Sequence, residues 1–358
     1  MKRMLTLLFL CLSAVGSASA GETSNTRLEK YLAGAVRVCP GERVRLETVD
    51  GEGPTNFASY RVTQTSSIEQ CGTVTYALLS PRTGQVLVGP VFPLGGTGSL
   101  ELRIGERLSK LMGSPVRVTI ARDALEDGIR RVQIQSDQDQ GTVSFDAYVD
   151  ESGDYLILGR RGHVDRDPKQ EFLEALGASS ATSRGRLTAR VRILELSDFQ
   201  CPSCRKAHEV LKPVLNKYED RISYARLDLP LIFNHDWSLS AAMGAKAVAT
   251  VAPQHYWSYV DHIFENQSEI TKAAIDTIIR GFCDSHEIDW KKFEPIYRSE
   301  KVKKEILAQV GRAFGNTIFG TPTFIINGRE VFFGHDADFV KEYLLSLLAG
   351  GGTPSSGS

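Results

Sequence analysis

Two cysteines separated by two residues, Cys201-Pro202-Ser203-Cys204, stand where an apolar run ends and a helical pattern begins. At a helix start the unpaired backbone N–H groups and the positive end of the macrodipole favour thiolate over thiol, which makes Cys201 a nucleophile near neutral pH. Pro202 suits the first turn because its missing N–H would have no partner inside the helix. The spacing also lets both sulfurs close a small disulfide ring. A static disulfide or half of a zinc site would use the same spacing. Zinc takes four ligands, commonly from a second such pair or a pair of histidines, and this chain offers only scattered Cys and His. His208, four positions beyond Cys204, is the one candidate nearby and reads as a helix-face residue.

The remaining cysteines divide by neighbourhood. Cys39 and Cys71 fall in one segment and read as a structural disulfide, two buried free thiols being the alternative. Cys283 follows Ile278, Ile279 and Phe282 and reads as a packed core thiol. Tyr256, Trp257, Tyr259 and Phe264 have the spacing of helix packing. Cys11 belongs to residues 1–20, where Lys2 and Arg3 precede an apolar core and Ala18-Ser19-Ala20, the pattern of a cleavable secretory leader. Export to a periplasmic or extracellular compartment follows, where disulfides persist.

The elements that must hold the cysteine pair are legible around it. Residues 191–196 read as a buried strand broken by Glu195, 204–218 as a helix and 222–231 as a second strand, a β-α-β unit. Residues 238–315 carry successive helical patterns, with Val302, Ile306, Val310 and Phe314 at intervals of four. Residues 322–333 read as a hairpin around Asn327-Gly328, 336–348 as a last helix, and 350–358 as a disordered tail.

Upstream, the chain looks duplicated. GTVTYALLSPRTGQVLVG at 72–89 matches GTVSFDAYVDESGDYLILG at 141–159, and RLEKYLAGAVRV at 27–38 matches RLSKLMGSPVRV at 107–118. Each pair contributes a helix, a strand and a hairpin in the same order, so two small α+β units are expected at 21–98 and 99–166, the first with a longer loop at 48–55. The polar, small-residue stretch 167–190 reads as a helix and flexible linker. With 358 residues, 42% of them hydrophobic, and 42 basic against 43 acidic groups, the composition is that of an ordinary globular chain of two or three domains. So balanced a charge gives no electrostatic reason to expect nucleic acid.

The segments LELSDFQCPSC and GTPTFIINGR resemble the DsbA-type branch of thioredoxin-like thiol:disulfide oxidoreductases, over about 190–348. The resemblance implies an α/β thioredoxin-like fold at 191–349 with a helical insertion at 238–315 and no cofactor. It implies that Cys201 exchanges with a client sulfur, that Cys204 resolves the mixed disulfide, and that Glu195 is a buried carboxylate moving protons to and from Cys204. Pro322 becomes a cis-proline, and Thr321, Pro202 and Ser203 face unfolded or partly folded protein clients. A membrane redox partner is implied too, quinone-linked for an oxidase and reducing for an isomerase. The strongest oxidants of the family carry His where this chain has Ser203, a neutral and weaker donor, so a less oxidising disulfide is expected. The N-terminal repeats resemble, more weakly, the small cystatin-like domain of bacterial disulfide isomerases, which serves there for dimerisation and client contact. The fold type is carried over from that likeness, with an oligomer left open. A binding module with a structural Cys201–Cys204 disulfide is the rival reading.

Overall fold

The computed structural model describes residues 24–39, 41–49, 51, 53–67, 71–331 and 337–350. The expected leader at 1–20, the tail beyond 350, and the junction at 332–336 between the expected hairpin and last helix lie outside the described residues. The N-terminal half runs α1 (Ser24–Ala35), β1 (Arg43–Thr48), β2 (Ala58–Thr65), β3 (Thr73–Leu79), β4 (Gln85–Gly89) and β5 (Val91–Pro93). It repeats with α2 (Leu100–Met112), β6 (Arg117–Ala124), β7 (Ile129–Gln138), β8 (Gly141–Asp150), β9 (Tyr155–Ile157) and β10 (Arg160–His163). Local chemistry accounts for these bounds. Ser99 caps α2 by accepting from Leu102 N, and Gly113 ends it in the left-handed region at φ 70°. Along β8, Val143, Phe145, Ala147 and Val149 are buried while alternate residues are less so, the period-two pattern of a sheet with one core face.

The units are not separate. Two five-stranded sheets form in the orders β1-β2-β3-β4-β10 and β5-β9-β8-β7-β6. Each unit thus gives its last strand to the other's sheet, which corrects the boundary expected at 98/99: β5 completes the second sheet and β10 the first. The ribbon crosses between sheets where Leu158 N donates to Pro90 O at 3.0 Å. Beside this crossing, a Cβ on Gly89 would lie 2.1 Å from Leu158 O and one on Gly159 2.4 Å from Val88 O. These two glycines end the two matched sequence segments, so the duplicated position is where the copies interlock. The extra length of the first unit is spread over the connections at 36–42, 49–57 and 66–72, each longer than its counterpart in the second unit, rather than residing in 48–55 alone.

The C-terminal half begins with α3 (Pro168–Ala175), capped by Asp167, and β11 (Thr182–Gly185). It continues with β12 (Val191–Ser197), α4 (Pro202–Lys217), β13 (Ile222–Asp228), α5 (Ser238–Val251), α6 (Tyr256–Glu265), α7 (Ile275–Ser285), α8 (Trp290–Tyr297), α9 (Glu300–Gly315), β14 (Thr323–Ile326), β15 (Arg329–Val331) and α10 (Ala337–Leu348). The sheet order is β11-β13-β12-β14-β15. The expected linker is therefore corrected: residues 182–185 pair antiparallel with β13 as an edge strand, because the β13 edge offers ladder partners that a solvated linker would lack. β12 and β13 are parallel, and β12 is covered on both faces, which explains its apolar run. Ile193 packs with Leu211 of α4 and Leu344 of α10, while Leu194 and Leu196 join a core with Leu239 of α5 and Val310 of α9. Asn327 and Gly328, at φ 50° and 82°, make the tight β14–β15 turn.

Several contacts join the halves. α9 lies against β8 so closely that a Cβ on Gly311 would sit 1.9 Å from Ser144 O, with Phe145 edge-on to Phe314 at 5.9 Å. Arg329 donates to Val36 O and Arg37 O, both at 3.1 Å, and pairs with Glu42 at 2.9 Å.

Candidate active site

Cys201 occupies the N-cap of α4, in extended conformation, with Pro202 as the first helical residue. Its sulfur donates to Thr321 O at 3.4 Å, and the Thr321-Pro322 peptide is cis. The strand–helix turn and the β14 loop thus bring Cys201, Thr321 and Pro322 together although they are far apart in sequence. Cys204 is fully buried one turn into α4 and accepts from Asp198 N at 3.4 Å. Both sulfurs are free thiols.

The two sulfurs are electrostatically unlike. Hydrogen bonding from the Cys204 thiol, then Thr321 and the backbone N–H groups of Cys204 and Ser203, holds Cys201 down to about 5 against the opposing effect of burial. Burial drives Cys204 the other way, well above the ordinary thiol range, and the neighbouring Cys201 and Glu195 charges add to it. At neutral pH the pair is one thiolate and one thiol. Beside the neutral Ser203 side chain, the backbone N–H groups at the helix start and Thr321 favour the thiolate.

Glu195 is 2% exposed on β12 and accepts from the Tyr224 hydroxyl at 2.5 Å. It is not an isolated acid. Opposite it on β13 lies Arg226, whose side chain is fully buried, paired with Asp228 and stacked 3.9 Å over Phe199. Gln267, from the α6–α7 connection, donates to Phe199 O at 2.7 Å and Cys201 O at 3.0 Å and fixes the backbone before the helix. Asp198 and His235, joined at 2.7 Å, stand beside the same turn. None of Asp198, Tyr224, Arg226, Asp228, His235 or Gln267 was singled out from sequence; Asp198, an acid between the apolar run 191–196 and Cys201, was the readable signal.

The other candidates fall elsewhere. Cys39 and Cys71 are bonded, with Cα atoms 5.9 Å apart, in the first unit. His208 pairs with Asp261 at 2.8 Å and ties α4 to α6. Cys283 is buried in α7, its thiol pushed up to about 11 by that burial. Tyr259 and Phe264 pack the insertion onto Phe199, at 5.8 and 5.4 Å. Among the described residues, no group of three or more His, Cys, Asp or Glu is placed to hold a metal, and no helix is long and apolar enough to cross a membrane.

This sheet order, with the cysteine pair at the head of α4 and the cis-proline beside it, is that of a thioredoxin-like domain. The thioredoxin family model matches residues 179–344. Among curated proteins, the chain is 26% identical over 182 residues to the probable disulfide bond formation protein D of Bacillus cereus, covering 48% of this chain and 82% of that one. It is also 26% identical over 167 residues to the Na(+)/H(+) antiporter NhaA 1 of Salinispora arenicola, covering 47% of this chain. It spans only 24% of that antiporter's length. Among solved structures, the thiol-disulfide exchange protein alpha-DsbA2 of Wolbachia pipientis aligns with TM-score 0.42 and 19% identity, over 50% of this chain and 92% of that one. BdbD of Bacillus subtilis aligns with TM-score 0.40 and 19% identity, over 49% and 95%.

Proposed function

We propose that this protein is an extracytoplasmic thiol:disulfide oxidoreductase that exchanges disulfides with protein clients through Cys201 and Cys204, in the oxidising direction. The observation that carries the reading is the split between the two sulfurs: Cys201 ionises at about 5 beside cis-Pro322, while burial keeps Cys204 a thiol. A client thiolate attacks Cys201 of the disulfide, Cys204 leaves and takes a proton through Glu195, and the client's second thiol then displaces Cys201 as a stabilised thiolate. Stabilising that thiolate favours the reduced form, which makes the disulfide an oxidant. Thr321 and Pro322 present backbone to the client, with Pro202 and Ser203 at the same rim. The Cys39–Cys71 bond and the leader pattern at 1–20 support an oxidising compartment, where a membrane redox partner regenerates the pair.

Cys204→Ala should trap mixed disulfides with reduced clients, and Cys201→Ala should not. Equal trapping by both would overturn the assignment of nucleophile and resolver. Alkylation of reduced protein at pH 6 should be much faster at Cys201 than at a small free thiol; equal rates would favour a binding module with a structural disulfide. The depressed Cys201 pKa also sets a pH dependence. The thiolate's stabilisation of the reduced protein is complete above the ordinary thiol value of about 9 and is lost as pH falls through about 5. Denaturant melts at pH 8 and pH 5 should therefore show the reduced form's advantage over the oxidised form shrinking on acidification.

A further inference from the structure

The connection between β13 and α5 carries an imidazole that this reading leaves unused. His235 Nδ1 lies 2.7 Å from Asp198 Oδ2. The Asp198 side chain is fully buried, and its oxygens also accept from Leu231 N and Gln200 N, both at 2.7 Å. Asp198 is joined to both sulfur-bearing residues as well: its N–H donates to Cys204 Sγ at 3.4 Å, and its carbonyl accepts from Cys201 N at 3.2 Å. The imidazole is thus fixed on the backbone turn that holds the cysteine pair. From the other half of the molecule, Gln140 at the β7–β8 turn donates to His235 O at 2.7 Å and secures the loop.

From this geometry we infer that His235, oriented by Asp198, is the counter-cation of the Cys201 thiolate, supplying from the β13–α5 loop the positive charge that Ser203 cannot supply between the cysteines. The charges acting on the ring are Asp198, through its hydrogen bond first, then Cys201 and Asp236; all favour the cation, while burial opposes it, and the net result is a raised pKa. The inference rests on the thiol-disulfide reading and fixes where a proton goes. When a client dithiol reduces the Cys201–Cys204 bond, two electrons pass, that S–S bond breaks and one forms in the client. Of the two client protons, one ends on Cys204 and the other on His235, leaving thiolate and imidazolium held on the same turn through Asp198. Asp198 is a positioning residue in this scheme, since it acts through the ring.

Three measurements on the full chain test it. In His235→Gln, the midpoint of Cys201 alkylation against pH should rise by about one unit, and the equilibrium with glutathione should shift about tenfold toward disulfide, close to 30 mV for this two-electron couple. Asp198→Asn should move both in the same direction. In the unaltered protein, which needs no substitution to fold, the His235 ring proton resonance should titrate at higher pH in the reduced than in the oxidised form. Unchanged alkylation midpoints in His235→Gln, or identical His235 titrations in the two redox states, would overturn the inference while fast alkylation of the unaltered protein left the oxidoreductase reading standing. If the unaltered protein neither alkylates fast at pH 6 nor equilibrates with glutathione, the reading beneath it falls instead.

Discussion

The two N-terminal units share a topology and differ in how they are held. The first buries its helix against its own sheet in a small cluster that includes Leu28, Tyr31, Leu32, Tyr60, Val62, Leu79 and Val86, and it carries the Cys39–Cys71 bond. The second has no disulfide, and its core residues Ile104, Leu108, Val132, Phe145 and Val149 run without a break into Leu194, Val310 and Phe314 of the thioredoxin-fold half. A single helix on a five-stranded sheet buries little apolar area for its size. One copy offsets this with a covalent link, the other by sharing a core with its neighbour.

The largest effect should come from removing the link. Cys39→Ala with Cys71→Ala opens a closure between residues 32 apart and should cost about 3 kcal/mol. Hydrogen exchange should place the loss in α1 and β1–β4, with β6–β9 still protected. A uniform loss across both sheets would break the comparison, because the exchanged strands β5 and β10 would then be making the two units one cooperative body. Gly311→Ala attacks the second unit's support. The new methyl would lie 1.9 Å from Ser144 O, a backbone atom that cannot swing aside, so α9 must move off β8 at a cost of about 2 kcal/mol. The second sheet and the helical insertion should lose protection together while the first sheet does not. Protection lost only in α9 would mean that the shared core does not couple them.

The readable and unreadable parts of this molecule divide along the same physical line. What depends on neighbours in sequence was legible: the helix start under Cys201, the Asn327-Gly328 turn and the matched hairpins. What depends on which surfaces meet was not. β5 is three residues long and contains Pro93, and β10 is four residues long, runs too short to show which sheet receives them, so the exchange at Gly89 and Gly159 left no local trace. Residues 182–185 carry no apolar pattern because an edge strand needs only backbone partners. At the site, Glu195 drew notice as a charge in an apolar run, whereas Arg226 and Tyr224 sit one strand away, and Asp198 and His235 meet across 37 residues of chain.

The smallest effect concerns the contact between the second unit and the loop that carries His235. Gln140 donates to the carbonyls of His235, at 2.7 Å, and Ile232, at 3.4 Å, and both bonds are neutral and partly buried. Losing them should cost about 1 kcal/mol, the usual net worth of such a bond, because water can replace the donor at this half-covered position. Gln140→Ala should therefore leave the melting transition nearly in place, yet loosen the loop that presents His235. Exchange of the amides of Asn234 and His235, which donate to Leu231 O, should quicken, and the pH midpoint of Cys201 alkylation should rise slightly, by less than in His235→Gln. Arg329→Ala is the matched control on the first unit. It removes the charged contacts to Glu42 and the Val36 and Arg37 carbonyls, and should cost more stability while leaving the Cys201 midpoint unmoved. If both substitutions shift that midpoint equally, the two units support the site alike, and the difference between them is one of stability alone.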